Sequence, residues 1–388
     1  MAKTNNRRNL SDKCQVLLSH EECDQEGSSM PHSSNSFAFI IAKELMSKHD
    51  GNFVFSPAGL CSILEILQNG MDFSCDISDR INEIISGYYS QVESIVDEHF
   101  KLAHAISIWY DEKMGKIKKV YLDVINNQYK AEAHNADFTQ PTKTKAMIDE
   151  WVSDKTHRMI NCLDADISKD ALMLVLDAMY MKAKWDNPFN MDCTEKDVFH
   201  NVDSSESEVD MMYHEFKAVE YSENNEYQVI SLPYERYGNY MFVVLPKEGY
   251  DIDSIMSNSD WIEEPLEYHN VELYMPRFKY GNTLSYNKVL EDLGLGDIFN
   301  RDDSFPRISD LPAHISEIKQ QCVISVEEEG AKAAAVTMAQ VVMGCLPQDD
   351  MAQQIRMKIN RPFGFAIKGE NNQLLFMGIV KEMRMNQA

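Results

Sequence analysis

Apolar residues recur at helical spacing in the first half of the chain. A segment that begins at residue 35 or 36 carries apolar residues three and four positions apart, which predicts a helix with one buried face. A second helix is predicted to start at Ser56-Pro57, because serine caps helices and proline suits the first helical position. Gly70 is its natural end. A third helix is predicted over residues 145–159.

Strand patterns dominate the second half of the chain. Residues 172–181 are almost continuously apolar, as in a strand that is buried on both faces. Two strand-like runs between Tyr227 and Leu245 flank the turn signal Gly238-Asn239. Helices that come before strands predict an α+β fold with large mixed or antiparallel sheets. The remaining predicted strands are residues 53–55, 271–278, 363–367 and 374–380.

Composition and charge restrict the partners. The chain has 388 residues and a formal charge of −25, from 62 acidic and 37 basic side chains. Such an acidic balance disfavours binding to nucleic acid or to anionic membranes. The longest apolar run, residues 171–181, is too short to span a membrane. Residues 1–35 are polar and lack the apolar core of a secretion signal. We therefore expect a loosely ordered extension, a single domain over residues 36–388, and a cytoplasmic or leaderless-secreted location.

Motifs for enzyme chemistry are absent from the sequence. It has no G-x-S-x-G, H-E-x-x-H, Walker or G-x-G-x-x-G pattern, and its eight cysteines form no C-x-x-C pair. We therefore predict neither enzymatic activity nor a bound metal or cofactor. His49, His104 and His314 are interpreted as ordinary surface or core histidines.

The stretch VISVEEEGAKAAAVTMAQVVMGCL, residues 323–346, has an unusual alternation. Read at the strand period of two, one set of side chains is small or slender and the other is longer and partly polar. A permanent core strand or an alanine-rich helix would also fit the composition. The charged glycine hinge before the run favours a segment that can be either exposed loop or buried strand. The small set is Ala331, Ala333, Ala335, Thr337, Ala339 and Val341, and the other set is Lys332, Ala334, Val336, Met338, Gln340 and Val342.

Eleven stretches match one known family in both order and spacing. They are NFVFSPAGL (52–60), IDEWVSDKTHRMI (148–160), LVLDAMYMKAKWDNPF (174–189), VDMMYHE (209–215), VISLPYE (229–235), FVVLPKEG (242–249), MPRF (275–278), LEDLGLGDIF (290–299), EEEGAKAAAVT (327–337), NRPFGFAI (360–367) and LLFMGIVKEM (374–383). Through these stretches, over about residues 36–383, the sequence resembles the serpin family.

The resemblance implies three β-sheets, eight or nine helices and an exposed reactive-centre loop within about residues 327–356. It also implies suicide inhibition: a protease attacks the loop as a substrate, and the cleaved loop inserts into a sheet before the acyl-enzyme can hydrolyse.

The resemblance also implies the residues that govern insertion. Ser56, Asp177 and Gln320 match the cluster that controls opening of the sheet. Trp185 matches an aromatic residue at the top of the opening, and Arg277 stands where a lysine usually pairs with the hinge glutamate. The implied hinge residues are Glu328, Glu329, Gly330, Ala331, Ala333, Ala334, Ala335 and Thr337.

Two of these positions depart from the family pattern, which usually has Asn and His where this chain has Asp177 and Gln320. With Asp at 177 and Gln at 320, the hydrogen-bond acceptor lies on the other residue of the pair. A hydrogen bond between the two can therefore survive with reversed polarity. A buried charge at Asp177 would otherwise loosen the sheet. Because Gln320 does not titrate, we expect opening to depend less on pH than it would with a histidine, and more on Asp177.

Family spacing from the hinge puts the scissile bond at Gly344–Cys345, with Met343–Gly344 as the alternative. An apolar residue before the cut suits chymotrypsin-like, cathepsin G-like or elastase-like serine proteases. Gly344 before the cut, with Met343 behind it, suits a papain-like cysteine protease instead. A non-inhibitory serpin that acts as carrier or chaperone is a further alternative.

The expected partner is therefore a target protease in a 1:1 covalent complex. Heparin is an unlikely partner, because the region after Gly70 is acidic, with Asp72, Asp76 and Asp79. The chain is expected to be a monomer with a risk of polymerisation, since an open slot in a sheet invites strand exchange.

Overall fold

The computed structural model describes residues 35–72, 75–88, 90–163, 166–328 and 354–383. The predicted extension, except for its last residue, and most of the reactive loop lie outside these ranges. The helices are α1 (Ser36–Met46), α2 (Pro57–Gly70), α3 (Asp76–Ile85), α4 (Lys119–Tyr129), α5 (Pro141–Lys155), α6 (Ile252–Met256), α7 (Asp260–Glu263), α8 (Asn287–Leu290) and α9 (Asp297–Asn300). The strands are β1 (Phe53–Phe55), β2 (Ile95–Val96), β3 (Phe100–Tyr110), β4 (Glu132–Asn135), β5 (Met173–Ala183), β6 (Glu195–His200), β7 (Glu206–Glu223), β8 (Tyr227–Pro233), β9 (Tyr240–Pro246), β10 (Glu267–Pro276), β11 (Phe278–Ser285), β12 (Glu317–Val326), β13 (Ile355–Lys358), β14 (Phe363–Lys368) and β15 (Leu374–Val380).

Six of these strands form a sheet in the order β11-β12-β5-β3-β2, with β4 paired to β3. At its centre, β12 runs parallel to β5, with pairs that run in register from Glu317–Leu174 to Ile324–Met181. The outer neighbours of this pair, β11 and β3, are both antiparallel to it. The sheet therefore contains one central parallel pair between two antiparallel ladders.

The other nine strands form a second sheet, in the order β1-β15-β14-β9-β8-β7-β10-β13, with β6 paired to β7. Its longest strand, β7, has 18 residues. The first part of β7 pairs with β6 and its last residues pair with β8. The described strands thus form two hydrogen-bonded sheets where the resemblance implies three. Strand β7 pairs with β6 at its start and with β8 at its end, so it joins strands that would otherwise form two separate sheets.

Local chemistry explains several element boundaries. The hydroxyl of Ser56 accepts a hydrogen bond from the backbone N–H of Gly59 at 3.0 Å, which confirms the predicted start of α2. Helix α5 spans 141–155 rather than the predicted 145–159. It begins at a proline, which suits a first turn, and it ends before His157 and Arg158, whose φ values of 52° and 61° are left-handed.

Both faces of the six-stranded sheet are covered around β5. Met173 and Val175 belong to the same apolar cluster as the inner face of α2. Leu174 and Leu176 point the other way and pack in a cluster with Trp151 of α5. The prediction of a strand that is buried on both faces is confirmed, and any strand added beside β5 would enter a closed interior. In the described ranges, no helix is long and apolar enough to cross a membrane.

Candidate functional site: the contacts that hold the central strand pair

The described site residues lie at two levels of the β5–β12 pair. Asp177 and Gln320 are register partners in the middle of the pair. Val326, the last residue of β12, lies six residues or about 20 Å beyond Gln320 along the strand, and Glu328 comes two residues later. The middle cluster consists of Ser56, His104, Asp177, Tyr286 and Gln320, and the upper cluster of Lys182, Trp185, Thr194, Arg277, Glu327 and Glu328. The other predicted site residues, Glu329, Gly330, Ala331, Ala333, Ala334, Ala335, Thr337, Met343, Gly344 and Cys345, lie outside the described residues.

In the middle cluster the side-chain amide of Gln320 is fully used. Its Nε2 donates to Asp177 Oδ2 at 2.7 Å and to the carbonyl of Ser56 at 2.9 Å. Its Oε1 accepts from the backbone N–H of Ser56 at 2.8 Å and from the hydroxyl of Tyr286 at 2.9 Å. The Asp177–Gln320 hydrogen bond thus exists with the polarity that the sequence suggested. One side chain joins β12 both to β5 and to the start of α2.

The carboxylate of Asp177 is fully buried, and its second oxygen faces a histidine. Asp177 Oδ1 lies 3.1 Å from Nε2 of His104, whose side chain is 7% exposed. The approach is not aligned as a hydrogen bond, and neither atom has a hydrogen-bond partner among the described residues. Although burial alone would lower it, the charge of Asp177 raises the pKa of His104 above its ordinary value. The contact is therefore a buried ion pair whenever His104 is protonated.

Helix α2 approaches this cluster closely at Gly59. A Cβ atom at Gly59 would lie 2.0 Å from Asp177 Oδ2 and 3.0 Å from Gln320 Nε2. The first distance is far shorter than non-bonded atoms allow, and the second is tighter than most contacts of a Cβ atom. A glycine is therefore required here for the close packing of α2 on the β5–β12 pair.

The upper cluster holds the chain where it leaves β12. The side chain of Glu328 is only 5% exposed and lies 3.4 Å from Nη1 of Arg277. The hydroxyl of Thr194 also donates to Glu328 Oε1, at 2.9 Å, and the Glu328 carbonyl accepts from the backbone N–H of Phe189 at 2.9 Å. Arg277, which is 39% exposed, forms a second ion pair with Asp210. The structure thus brings Glu328 and Arg277 together, and the carboxylate of this pair is buried rather than at the surface.

The neighbouring residue, Glu327, is held from the β5 side. The indole Nε1 of Trp185 donates to the Glu327 carbonyl at 2.8 Å, and the ring stacks on Tyr234 with centroids 4.6 Å apart. Nζ of Lys182 lies 2.6 Å from Glu327 Oε2. Although burial raises it, the bonds from Lys182 and Ser325 together lower the pKa of Glu327. Glu327, the last residue before the implied hinge, is thus held through both its backbone and its side chain.

Sequence reasoning missed three members of these clusters: His104, Thr194 and Tyr286. His104, interpreted from the sequence as an ordinary surface or core histidine, is buried, and its ring faces the middle cluster. Its position on β3, diagonally across from Asp177, follows only from the register of β3 and β5. The expectation of weak pH dependence rested on Gln320 alone and did not include this histidine.

Comparison with known proteins now identifies the fold. The family model described as Serpin (serine protease inhibitor) matches residues 32–383. The chain belongs to the serpin family. Serpins are protease inhibitors rather than catalytic enzymes, and the clusters above are contacts within a serpin sheet.

Individual relatives agree with this assignment. A serpin-like protein of Methanosarcina acetivorans is 29% identical over 377 residues, which cover 90% of this chain and 87% of the relative. Serine proteinase inhibitor 1 of vaccinia virus is 29% identical over 360 residues, which cover 87% of this serpin and 98% of the viral protein. The crystal structure of Serpin48 from the insect Tenebrio molitor superposes with a TM-score of 0.77 at 24% identity, and covers 90% of this chain and 97% of that one.

Substituting Gly59 tests the close contact in the middle cluster. Alanine normally favours a helix over glycine by about 1 kcal/mol. Here we expect Gly59→Ala to destabilise the serpin by about 1–3 kcal/mol, because the Asp177 carboxylate must move and lose its bond to Gln320. Urea unfolding measures the change. Gly51→Ala is the matched control, since nothing lies within 4 Å of its Cβ, and equal effects of both substitutions would contradict the assignment.

Substituting Arg277 tests the upper cluster. We expect Arg277→Ala to lower the free energy of unfolding by about 1–2 kcal/mol, because the side-chain carboxylate of Glu328 then keeps only the Thr194 hydroxyl as a partner. The effect is smaller than for a fully buried pair, since solvent reaches the guanidinium. Arg301→Ala, which removes an exposed arginine from Asp297 and Asp303, should leave the urea midpoint unchanged. If the urea midpoint of Arg277→Ala is also unchanged, the Arg277 contacts in the upper cluster do not contribute to the free energy of unfolding.

Proposed function

We propose that this serpin inhibits proteases as a suicide substrate, and that its cleaved reactive loop inserts between β5 and β12. The target protease cuts the loop and remains attached to it as an acyl-enzyme. Insertion carries the protease along the sheet and distorts its catalytic triad and oxyanion hole, so that deacylation stops. The result is a 1:1 covalent complex.

The parallel pairing of β5 and β12 is the observation that carries this proposal. A chain that leaves the end of β12 and folds back must run antiparallel to β12. Because β5 is parallel to β12, the same segment is antiparallel to β5 as well. It can therefore form two antiparallel ladders at once, in place of one parallel ladder. Antiparallel pairing is also slightly more stable per residue.

Length and side-chain size agree with this geometry. Residues 331–341 form an eleven-residue stretch, and β5 has 11 residues. Each backbone hydrogen bond contributes about 0.5–1.5 kcal/mol, so the net gain of one ladder provides a driving force for insertion. Both faces of the sheet are covered at β5, so the inserted strand needs small side chains on at least one face. The small set that begins at Ala331 supplies them.

The residues around the proposed cut favour proteases with an apolar primary pocket. Cutting at Gly344–Cys345 or at Met343–Gly344 places Val342 and Met343 at or close to the cleaved bond, and residues 338–346 contain no arginine or lysine. Chymotrypsin-like, cathepsin G-like and elastase-like serine proteases are therefore the favoured targets. Papain-like cysteine proteases are the second candidate, because they read an apolar residue one position before Gly344.

Incubation with chymotrypsin, cathepsin G, elastase and papain tests the mechanism and the target class. We expect a complex with at least one of the serine proteases that survives boiling in detergent, with release of a C-terminal fragment. Mass spectrometry of the fragment should give Cys345 as its first residue, or Gly344 for the alternative bond. A complex with papain alone would assign the cysteine-protease class. Cleavage without any covalent complex would contradict inhibition and favour a carrier or chaperone.

A pair of adjacent substitutions tests the direction in which the inserted strand faces. Ala335→Arg places a charged side chain in the small set, and Ala334→Arg places the same side chain in the other set. We expect Ala335→Arg to slow insertion so that the serpin is cleaved as a substrate, with complex formation reduced at least about tenfold, since burying an unpaired charge is costly. Ala334→Arg should keep most of the complex. Equal behaviour of the two variants on denaturing gels would contradict an alternating inserted strand.

A further inference from the structure

His104 occupies a position in which both of its ring nitrogens face acceptors. Nε2 lies 3.1 Å from Asp177 Oδ1, and Nδ1 lies 3.5 Å from the carbonyl of Val92. A neutral imidazole carries one N–H, so it can satisfy only one of these oxygens. The imidazolium form has a proton for each. The geometry therefore favours a positively charged His104 beside a negatively charged Asp177.

The other groups that face this pair do not carry charge near neutral pH. On β12, burial and the negative charge of Asp177 raise the pKa of the Cys322 thiol. Before α8, burial and nearby negative charge, including that of Asp177, raise the pKa of the Tyr286 hydroxyl well above its ordinary value. Gln320 contributes an amide that does not titrate.

The remaining neighbours are also neutral. The start of α2 presents the backbone of Ser56 to Gln320 and places Gly59 against the Asp177 carboxylate. The segment before β3 presents the carbonyl of Val92 and the hydroxyl of Ser94, which bonds to the backbone of His104. Among the groups described around Asp177, His104 is therefore the one whose ordinary pKa lies near neutral pH.

Opening of the sheet acts differently on the two partners of Asp177. His104 lies on β3, which stays paired with β5 through a ladder that runs from Phe100–Ala183 to Tyr110–Met173. Gln320 lies on β12, which must move away from β5 to admit the loop. Opening thus removes the 2.7 Å hydrogen bond from Gln320 and leaves the ion pair with His104 in place.

We propose that His104 is a positioning residue for loop insertion: its proton keeps the Asp177 carboxylate neutralised when β12 and Gln320 move away, so protonation of His104 favours opening. This inference rests on the proposed function, since it assumes insertion between β5 and β12. It places a pH-sensitive group on β3, outside the strand pair that separates.

The sign of the effect follows from the partners of Asp177 in each state. In the closed sheet, the carboxylate has both the Gln320 amide and His104. In the open sheet it depends on His104 alone, so the pKa of His104 rises further on opening. Protonated His104 therefore promotes insertion, and the rate falls as the pH rises through the pKa of the closed form, which is already raised above 6.5. A rise of one pKa unit on opening changes the rate by up to about tenfold.

A synthetic peptide that corresponds to residues 331–341 tests this inference without a protease. With blocked ends, the peptide AKAAAVTMAQV has only a lysine to titrate, so it is unchanged between pH 5.5 and 8.5. Its uptake by intact wild-type protein is followed on native gels at constant ionic strength. We expect the uptake rate to fall by up to about tenfold across this range. In His104→Gln, which keeps a donor without the charge, the rate should change less than about twofold.

His200→Gln is the matched control, because its side chain is 54% exposed on β6, and it should keep the wild-type profile. If His104→Gln does not fold, Asp177→Asn provides the second variant. Without the carboxylate, opening no longer raises the pKa of His104, so the fall in uptake rate between pH 5.5 and 8.5 should be lost. A wild-type profile in either His104→Gln or Asp177→Asn would overturn the role of His104 but leave the inhibitory function standing. Failure of the wild-type protein to take up the peptide at any pH would contradict insertion itself, and this inference with it.

Discussion

The parallel hydrogen-bonded pair β5–β12 is the constraint on which the rest of the structure depends. It is the central ladder of a six-stranded sheet whose adjacent pairs, β11–β12 and β3–β5, are antiparallel. A parallel pair needs a long connection between its strands, and here 133 residues separate Ala183 from Glu317 in the chain. No tight turn ties the two strands together. They can therefore separate without breaking a hairpin, provided that the side-chain contacts between them are released.

The side-chain contacts that Gln320 makes with Asp177 and Ser56 are polar, although the surrounding core is apolar. An apolar side chain at position 320 would pack against β5 in several different registers of the two strands, because apolar contacts have little directionality. The Gln320 amide instead requires Asp177, Tyr286 and both backbone groups of Ser56 at fixed positions. Such a network stabilises one closed register, and loss of any partner leaves a buried polar group unsatisfied. The polar network thus adds a specific register to a strand pair whose other buried side chains are largely apolar.

Local features of this serpin were predictable from its sequence, and contacts between distant segments were not. The Ser56 cap and the turn at Gly238, whose φ is 80°, depend on neighbouring residues alone. The doubly buried strand β5 is visible in its composition. By contrast, nothing near His104 in the chain indicates Asp177, because their contact depends on the register between β3 and β5. The family resemblance supplied Gln320 and Asp177 as partners, but His104 was not among the residues that it supplied.

The positions of the two clusters imply an order of release during insertion. The implied hinge begins at Glu328, whose carbonyl and side chain are bonded to Phe189 and Thr194, both in the chain that follows β5. A strand that starts to insert from this end meets the upper cluster first. Only after about six more residues does it reach the Gln320–Asp177 bond. In the proposed mechanism, the upper contacts therefore govern whether insertion starts, and the middle contacts govern whether it continues past half of the strand. A charge that stabilises Asp177 after Gln320 has left acts on the second step, where a stalled loop would leave the acyl-enzyme time to hydrolyse.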